Sequence, residues 1–268
     1  VNTLLCLGAG YTASSLATQL TGWRVLGTSR GQRPGFPGDV LPFQAARTAL
    51  AHATHVLVSA APTDAGDPVL AALDGALRPD LTVLYLSATS VYGHRPDGLA
   101  GEGDALAPTT ARGRRRAAAE QAWRDTGVRL EIFRLAGIYG PGRSAFDRLQ
   151  RPLIDAPGHS FARIHVDDAA AVLAAALADP QPGRICNVSD DEPAESAVVT
   201  EHAWSLLGRP APARTPLADA ELSPMAASFW TERRTLDCAA RRALLPRLTY
   251  PTYREGLAAI LRARTPTS

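Results

Sequence analysis

Residues 8 to 13, Gly8-Ala9-Gly10-Tyr11-Thr12-Ala13, decide how the rest of this chain is read. An apolar run, Thr3-Leu4-Leu5-Cys6-Leu7, leads in, and a helical pattern, Ser14-Ser15-Leu16-Ala17-Thr18-Gln19-Leu20, leads out. A strand, a glycine turn and a helix in that order form a cradle for a pyrophosphate. Gly8 permits the turn, Gly10 lets backbone approach the phosphates, and Ala13 is small enough for close helix–strand packing. Tyr11 and Thr12 open the helix, whose first N–H groups and positive dipole end are turned to the anion. An ordinary tight strand-to-helix turn is the competing reading. The position directly behind the first strand weighs against it.

Outward from this turn, short apolar runs alternate with helical patterns. Strands are expected at Trp23–Gly27, His55–Ser59, Leu81–Ser87, Val128–Arg134 and Arg184–Val188. Helical segments such as Thr48–His52, Val69–Ala76, Thr109–Asp125 and Asp167–Leu177 lie between them. This alternation predicts an α/β fold, a doubly wound parallel sheet of Rossmann type with ligands beyond the C-terminal strand ends. After Val188 the pattern breaks: Pro193, Pro210, Pro212, Pro216 and Pro224 interrupt short helices before a closing amphipathic helix. Residues 1–190 are therefore expected to form the dinucleotide-binding domain, with about 140–162 contributing to a substrate lobe. Residues 191–268 are expected to supply the rest of that smaller helical lobe.

Composition narrows the class. The chain has 268 residues, 46% of them hydrophobic, and a formal charge of +2, so nothing points to nucleic acid or to a membrane. No apolar run reaches membrane-spanning length, and no signal peptide is read at the start. Cys6, Cys186 and Cys238 are scattered, which fits reduced core residues in a cytoplasmic protein better than a disulfide framework or a metal site. All 28 basic residues are arginine. With no lysine anywhere, no amine can act as a base, form a Schiff base or lower a neighbouring pKa.

The second strand ends Val25-Leu26-Gly27-Thr28-Ser29-Arg30. An acidic residue here would accept from the ribose 2′-hydroxyl of NAD, whereas an arginine pairs with the 2′-phosphate of NADP. Ser29 and Arg30, with Arg33 nearby, therefore predict NADP(H) in preference to NAD(H), and Asp39 lies too far along to supply the acidic contact. Ala60 and Ala61, at the end of the His55–Ser59 run, are expected to line the cofactor as well.

From residue 82 onward the chain resembles the extended short-chain dehydrogenases/reductases. Leu86-Ser-Ala-Thr-Ser-Val-Tyr-Gly93 resembles the strand end that carries that family's active-site Ser or Thr. Phe133-Arg-Leu-Ala-Gly-Ile-Tyr-Gly-Pro-Gly142, Ile164-His-Val-Asp-Asp168, Cys186-Asn-Val-Ser-Asp190 and Tyr250-Pro-Thr-Tyr-Arg-Glu-Gly-Leu257 resemble later family segments, in the family's order. The family's chemistry uses a Ser/Thr, a Tyr and a Lys four residues after the Tyr. Here the corresponding helix reads Pro108-Thr-Thr-Ala-Arg-Gly-Arg-Arg-Arg116, which puts Arg112 at the tyrosine, Arg116 at the lysine and Ala88 at the serine. The resemblance is thus to the atypical, NAD(P)-dependent epimerase/dehydratase-like, YeeZ-like branch, which keeps the nucleotide site and lacks the tyrosine. Family members commonly dimerise through two helices per subunit, so a homodimer is what the resemblance implies.

Several residues could still carry chemistry. Thr89 flanks the altered serine position, with strand-end hydrogen bonding as its plainer role. His94 can titrate near neutrality and is the best stand-in acid. Arg112 could clamp a carboxylate or phosphate bidentately, and Arg116 could replace a lysine's hydrogen bonds to ribose; a solvated helix face is the alternative for both. Tyr92 and Arg143 are candidate substrate contacts, although packing competes for Tyr92. Asp167 and Asp168 are expected to start a helix rather than to catalyse. Three functions stay open: an oxidoreductase or epimerase acting on a small polar substrate, a sensor of NADP(H) without turnover, and a redox-neutral isomerase or lyase.

Overall fold

Thr3–Leu7 is buried along its whole length, as an unbroken apolar run requires of a strand covered on both faces. The computed structural model describes residues 2–73, 75–95, 98–227, 229–230 and 232–264. In it, β1 (Thr3–Leu7), β2 (Arg24–Ser29), β3 (Asp39–Pro42), β4 (His55–Val58) and β5 (Thr82–Ala88) join two later strands, Arg129–Leu135 and Ile185–Val188. The seven form one parallel sheet. Across it the order is Ile185–Val188, Arg129–Leu135, β5, β4, β1, β2, β3. The chain winds outward from β1 to β3 and then crosses back to β4, so the sheet reverses direction between β1 and β4. Gly8 stands at that switch point, where doubly wound folds bind ligands.

Alternation along β1 assigns the two faces. Leu4 and Cys6 pack with Leu16 of α1 (Tyr11–Gln19) and with Val172 and Leu173 of α5 (Val166–Ala178). Leu5 and Leu7 pack on the other face with Leu50 of α2 (Ala46–Leu50), Val69 of α3 (Pro68–Leu73) and Trp123 of α4 (Ala111–Arg124). The period of two in a strand is what sends neighbours to opposite layers.

The expected strands appear with their ends moved by one or two residues, while β3 has no counterpart in the sequence reading. It is a short, largely exposed edge strand ending in Pro42, so it lacks the apolar run that marks the others. A separate apolar cluster joins Tyr139 and Phe146 to Ala203 of the helix Ser196–Leu206 and to Tyr253, Leu257 and Ile260 of the helix Tyr253–Arg264. The intervening segment does not stay with that cluster. Ala240, Leu244, Leu245 and Leu248 return to the main core, and Thr235–Leu236 pairs with Leu99–Ala100. Among the described residues, no helix is long and apolar enough to cross a membrane.

Candidate functional site

The β1–α1 turn is pinned from both neighbouring strands. The Gly8 N–H donates to Thr28 Oγ1 (3.3 Å) and the Ala9 N–H to the Thr28 carbonyl (2.8 Å). From the other side, Ser59 Oγ donates to the Gly8 carbonyl (2.5 Å). Gly8 has φ +110°, and a Cβ there would lie 2.6 Å from Ser59 Oγ, so both conformation and space demand glycine. Gly10 is different: a Cβ on it would meet nothing within 4 Å. No side chain caps α1, so the N–H groups of Tyr11, Thr12 and Ala13 open its first turn without a side-chain acceptor at Gly10. An uncapped helix start beside open space fits an anionic group. Thr12 and Ala13 are buried, so their side chains pack while their backbone faces the turn.

Tyr11 reaches across to the turn that follows Tyr139. Its hydroxyl donates to the Pro141 carbonyl (3.0 Å), and the Arg143 guanidinium lies 6.0 Å from its ring centre. Burial, with Asp167 adding to it and Arg143 opposing, pushes the phenol up to about 12. A residue read as a cofactor contact and one read as a substrate contact are thereby neighbours. Gly140 makes this possible, since any side chain there would collide with the Tyr11 hydroxyl.

At the end of β2 a groove of about 500 Å³ is lined by Ser29, Arg30, Arg33, Val40 and Pro42 among others. Arg30 is exposed, and Ser29 Oγ accepts from the Gly31 N–H (3.2 Å). Asp39 pairs with Leu26, well back from the strand end that Ser29 shares with Pro42. Among the described residues, no acidic side chain lines the groove. Ala60 is half-buried behind β4, its N–H bonded to the Leu7 carbonyl (3.1 Å), and Ala61 is exposed beyond it.

Beyond β5, Ala88 and Thr89 are half-buried at the start of a short 3₁₀ turn, Thr89–Tyr92. Tyr92 does not face a ligand space. It is fully buried, accepting from Arg134 Nη1 (2.7 Å) and donating to Asn187 Oδ1 (2.7 Å). The expectation of a substrate contact there gives way to packing, because both polar demands of the phenol are met inside the core. Burial raises the Tyr92 phenol above its ordinary value and pushes Tyr85 up to about 12, so neither ionises near neutral pH.

The arginines of α4 diverge. Thr110 caps the helix by accepting from the Gly113 N–H (3.2 Å), and a Cβ on Gly113 would press to 2.5 Å from the Ser90 carbonyl. This close approach sets the first turn of α4 against the end of β5. Arg116 turns inward, donating to the Leu86 carbonyl (2.8 Å) and to the Tyr85 hydroxyl (3.1 Å). Arg115 pairs with Asp64 (2.5 Å), and Arg114 donates to the Thr109 carbonyl (2.7 Å). Arg112 turns outward over the Phe229 ring, 5.2 Å from its centre. Partial burial and then the neighbouring Arg116 lower its pKa from the ordinary value, with Glu232 opposing. The two residues read as one helical face thus serve different places.

His94 is exposed, and its Nδ1 accepts from the Arg233 N–H (3.0 Å), which leaves the ring proton on Nε2. His165, rather than either aspartate, caps α5, its Nδ1 accepting from the Asp167 N–H (3.2 Å). Asp167 accepts instead from Ser15 Oγ (2.8 Å), and Asp168 from the N–H groups of Thr249 (2.7 Å) and Tyr250 (2.9 Å). These carboxylates tie α1 and the C-terminal segment to α5.

Sequence reasoning missed the segment that closes over this end of the sheet. Arg234 donates to the Gly93 carbonyl (2.6 Å) and pairs with Glu232 (2.8 Å), which also accepts from Thr109 Oγ1. Phe229 exposes 47% of its surface beside Arg112. The stretch has no periodicity to read, and its partners lie far back along the chain, from Gly93 and Thr109 to Gly158 and Phe161.

Comparison with known proteins fits this geometry. No family model matches the chain. A conserved protein of unknown function from Silicibacter pomeroyi is 42% identical, with 99% of this chain and 100% of that one covered and a TM-score of 0.92. The dTDP-glucose 4,6-dehydratase of Bacillus anthracis, solved in complex with NAD, shares the fold at 16% identity (98% and 96% covered, TM-score 0.77). The human epimerase family protein SDR39U1, solved with NADPH, does so at 18% identity (98% and 99% covered, TM-score 0.76). Among curated proteins, a 3-diazoavenalumate denitrifying reductase from Streptomyces is 33% identical over 143 residues, 47% of this chain and 45% of that protein. The chain therefore spans about half the length of the curated relative it matches. The chain shares the fold of these dehydratase and epimerase-family structures. It belongs to one family with the S. pomeroyi protein.

Proposed function

We propose that this chain binds NADP(H) and works as an oxidoreductase or epimerase on a small polar substrate, without the Ser–Tyr–Lys set of its class. The observation that carries the reading is the uncapped start of α1 at Gly10, open on its outer side, beside a groove furnished with Ser29, Arg30 and Arg33. The register of β1 against β2, Leu7 opposite Thr28, puts the two at the same end of adjacent strands. The first would hold a pyrophosphate and the second a 2′-phosphate. Solved relatives of the same fold carry NAD or NADPH, and the curated relative is a reductase, which supports a nicotinamide cofactor.

A bound nicotinamide supplies hydride transfer, and the remaining tasks fall to this chain. Arg116, fixed to the Leu86 carbonyl, would orient ribose hydroxyls as a donor but would not release a proton at neutral pH. Thr89 and the Nε2–H of His94 are the candidate hydrogen-bond donors to a substrate oxygen at the end of β5, with water as the source of the proton. The chain has no lysine, and both nearby phenols are held protonated. That same poverty of titrating groups supports a second reading, a non-catalytic NADP(H) sensor acting through a partner.

Titration of the purified protein with NADPH and NADH, followed by NADPH oxidation over a panel of carbonyl compounds and acids, tests both. Failure to bind either dinucleotide overturns the proposal. Tight NADPH binding with no turnover, and with no effect of His94→Ala on any trace rate, leaves the sensor.

A further inference from the structure

Arg112 presents an exposed guanidinium at the start of α4. It is stacked on Phe229 at 5.2 Å and makes no ion pair among the described residues. Three of the cations around it are engaged: Arg115 with Asp64, Arg234 with Glu232 and the Gly93 carbonyl, Arg116 with the Leu86 carbonyl; Arg143, the weakest of its charged neighbours, lies over the Tyr11 ring. Glu232 is the carboxylate within electrostatic reach of Arg112, and its oxygens are taken by Arg234 and Thr109. Among the described residues the fork of N–H donors on Arg112 has no hydrogen-bond partner, and stacking restricts its orientation.

Phe229 is the other half of the feature. Nearly half of it is exposed, in a chain segment anchored by Trp230, whose ring packs on Phe161 (5.2 Å) and His159 (5.4 Å). A large apolar ring held open beside an unpaired guanidinium suits a ligand with a flat apolar body and an anionic end. A diphosphate would call for several free guanidinia converging on it. Here the nearer arginines are engaged, Arg143 is the weakest of the charges acting on Arg112, and Glu232 lowers the local positive charge, which favours a monoanion.

We propose that the substrate is an arene carboxylate, its carboxylate held bidentately by Arg112 and its ring packed on Phe229. This rests on the cofactor-dependent reading above, because Arg112 lies on the turn of α4 that abuts the end of β5. Arg112 and Phe229 are specificity-determining residues and move no proton.

The test is calorimetric titration of the NADPH-saturated protein with 4-hydroxycinnamate as probe, alongside its methyl ester and UDP. The acid binds and the ester does not. Arg112→Gln weakens the acid by about 10-fold or more, Arg112→Lys by less, and Phe229→Ala by about 5-fold, as expected for a lost charge-assisted pair and a lost ring contact. NADPH affinity and melting temperature stay at the wild-type values in all three variants. No binding of the acid at millimolar concentration overturns the proposal. So does an unchanged affinity in Arg112→Gln, equal binding of the ester, or binding of UDP in place of the acid. If the wild type does not bind NADPH, the cofactor reading fails by itself, and the same titration without NADPH still reads Arg112.

Discussion

Glu120 and Arg134 form an ion pair that water does not reach: Nη2 lies 2.8 Å from Oε2, and the side chains are 0% and 2% exposed. Arg134 Nε donates to the second carboxylate oxygen (3.1 Å), so the pair is bidentate and fastens α4 to the strand Arg129–Leu135. Ser87 Oγ donates to Glu120 (2.5 Å), which brings the end of β5 into the same network. Arg134→Met leaves the buried Glu120 carboxylate with only the half-exposed Arg124 (3.2 Å) and Ser87, and is expected to cost about 2–4 kcal/mol, while Glu120→Leu with Arg134→Met recovers part of it. Urea unfolding of the single and double variants reads this. A single-variant loss below about 1 kcal/mol would contradict the burial of the pair.

Tyr92 hangs from that network through Arg134, with Asn187 on its other side. Tyr92→Phe removes one hydroxyl from between two buried partners and should lower stability by about 1–3 kcal/mol. Ligand affinities should not change. Full stability with impaired substrate binding would return Tyr92 to the cleft.

The two glycines of the first turn can be separated experimentally. Gly8→Ala meets a positive φ and the Ser59 hydroxyl together, so it should destabilise the fold by about 1 kcal/mol or more. Gly10→Ala meets no protein atom and has φ −95°, so its melting temperature should stay near that of wild type. Its methyl group would enter the space proposed for phosphate, and NADPH affinity should fall. Equal NADPH affinity in Gly10→Ala and wild type would locate the dinucleotide elsewhere.

Arg30→Ala should weaken NADPH by about 10-fold or more, the loss of a charge-assisted contact, and leave NADH nearly unchanged. Parallel titrations decide it. Equal losses for the two would refute a 2′-phosphate contact at the end of β2.

Asp190 gives a pH dependence. Its carboxyl is 4% exposed, and burial pushes it up to about 8 against the pull of Arg163. Between the ordinary carboxylate range and about pH 8 the folded state holds a proton that the unfolded state has lost. Stability contributed by this group therefore falls as pH rises through that window. Glu131, pushed up to about 7 by burial, adds a slope of the same sign. Thermal melts should show Asp190→Asn close to wild type at pH 5 and more stable at pH 8. A variant that melts lower at pH 8 would mean that the charged form is the favoured one.

Local features were legible in the sequence and long-range ones were not. The Gly8–Ala13 turn, the buried strands and α4 each announce themselves within a dozen residues, through periodicity, capping or glycine. β3 escaped because an edge strand needs no apolar run. The fates of Arg112 and Arg116 escaped because helical spacing places two Cα atoms on one face but does not direct two long side chains. Their destinations, Phe229 for one and the Leu86 carbonyl for the other, come from elements that only the folded chain brings near. Tyr92 is the same case: its burial depends on Arg134 and Asn187, from strands on the far side of a crossover.

The all-parallel main sheet sets how the chain reaches its fold. None of its neighbouring strands can be joined by a tight hairpin, so no rung of the ladder forms from residues close in sequence. Val83 must find Leu130, and Leu5 must find Val56, before backbone pairing offsets the entropy of closing the loops between them. Contact order of this kind makes folding slow and exposes apolar strands while it proceeds. Refolding yield should therefore fall with protein concentration, as collapsed chains meet one another before their own crossovers close.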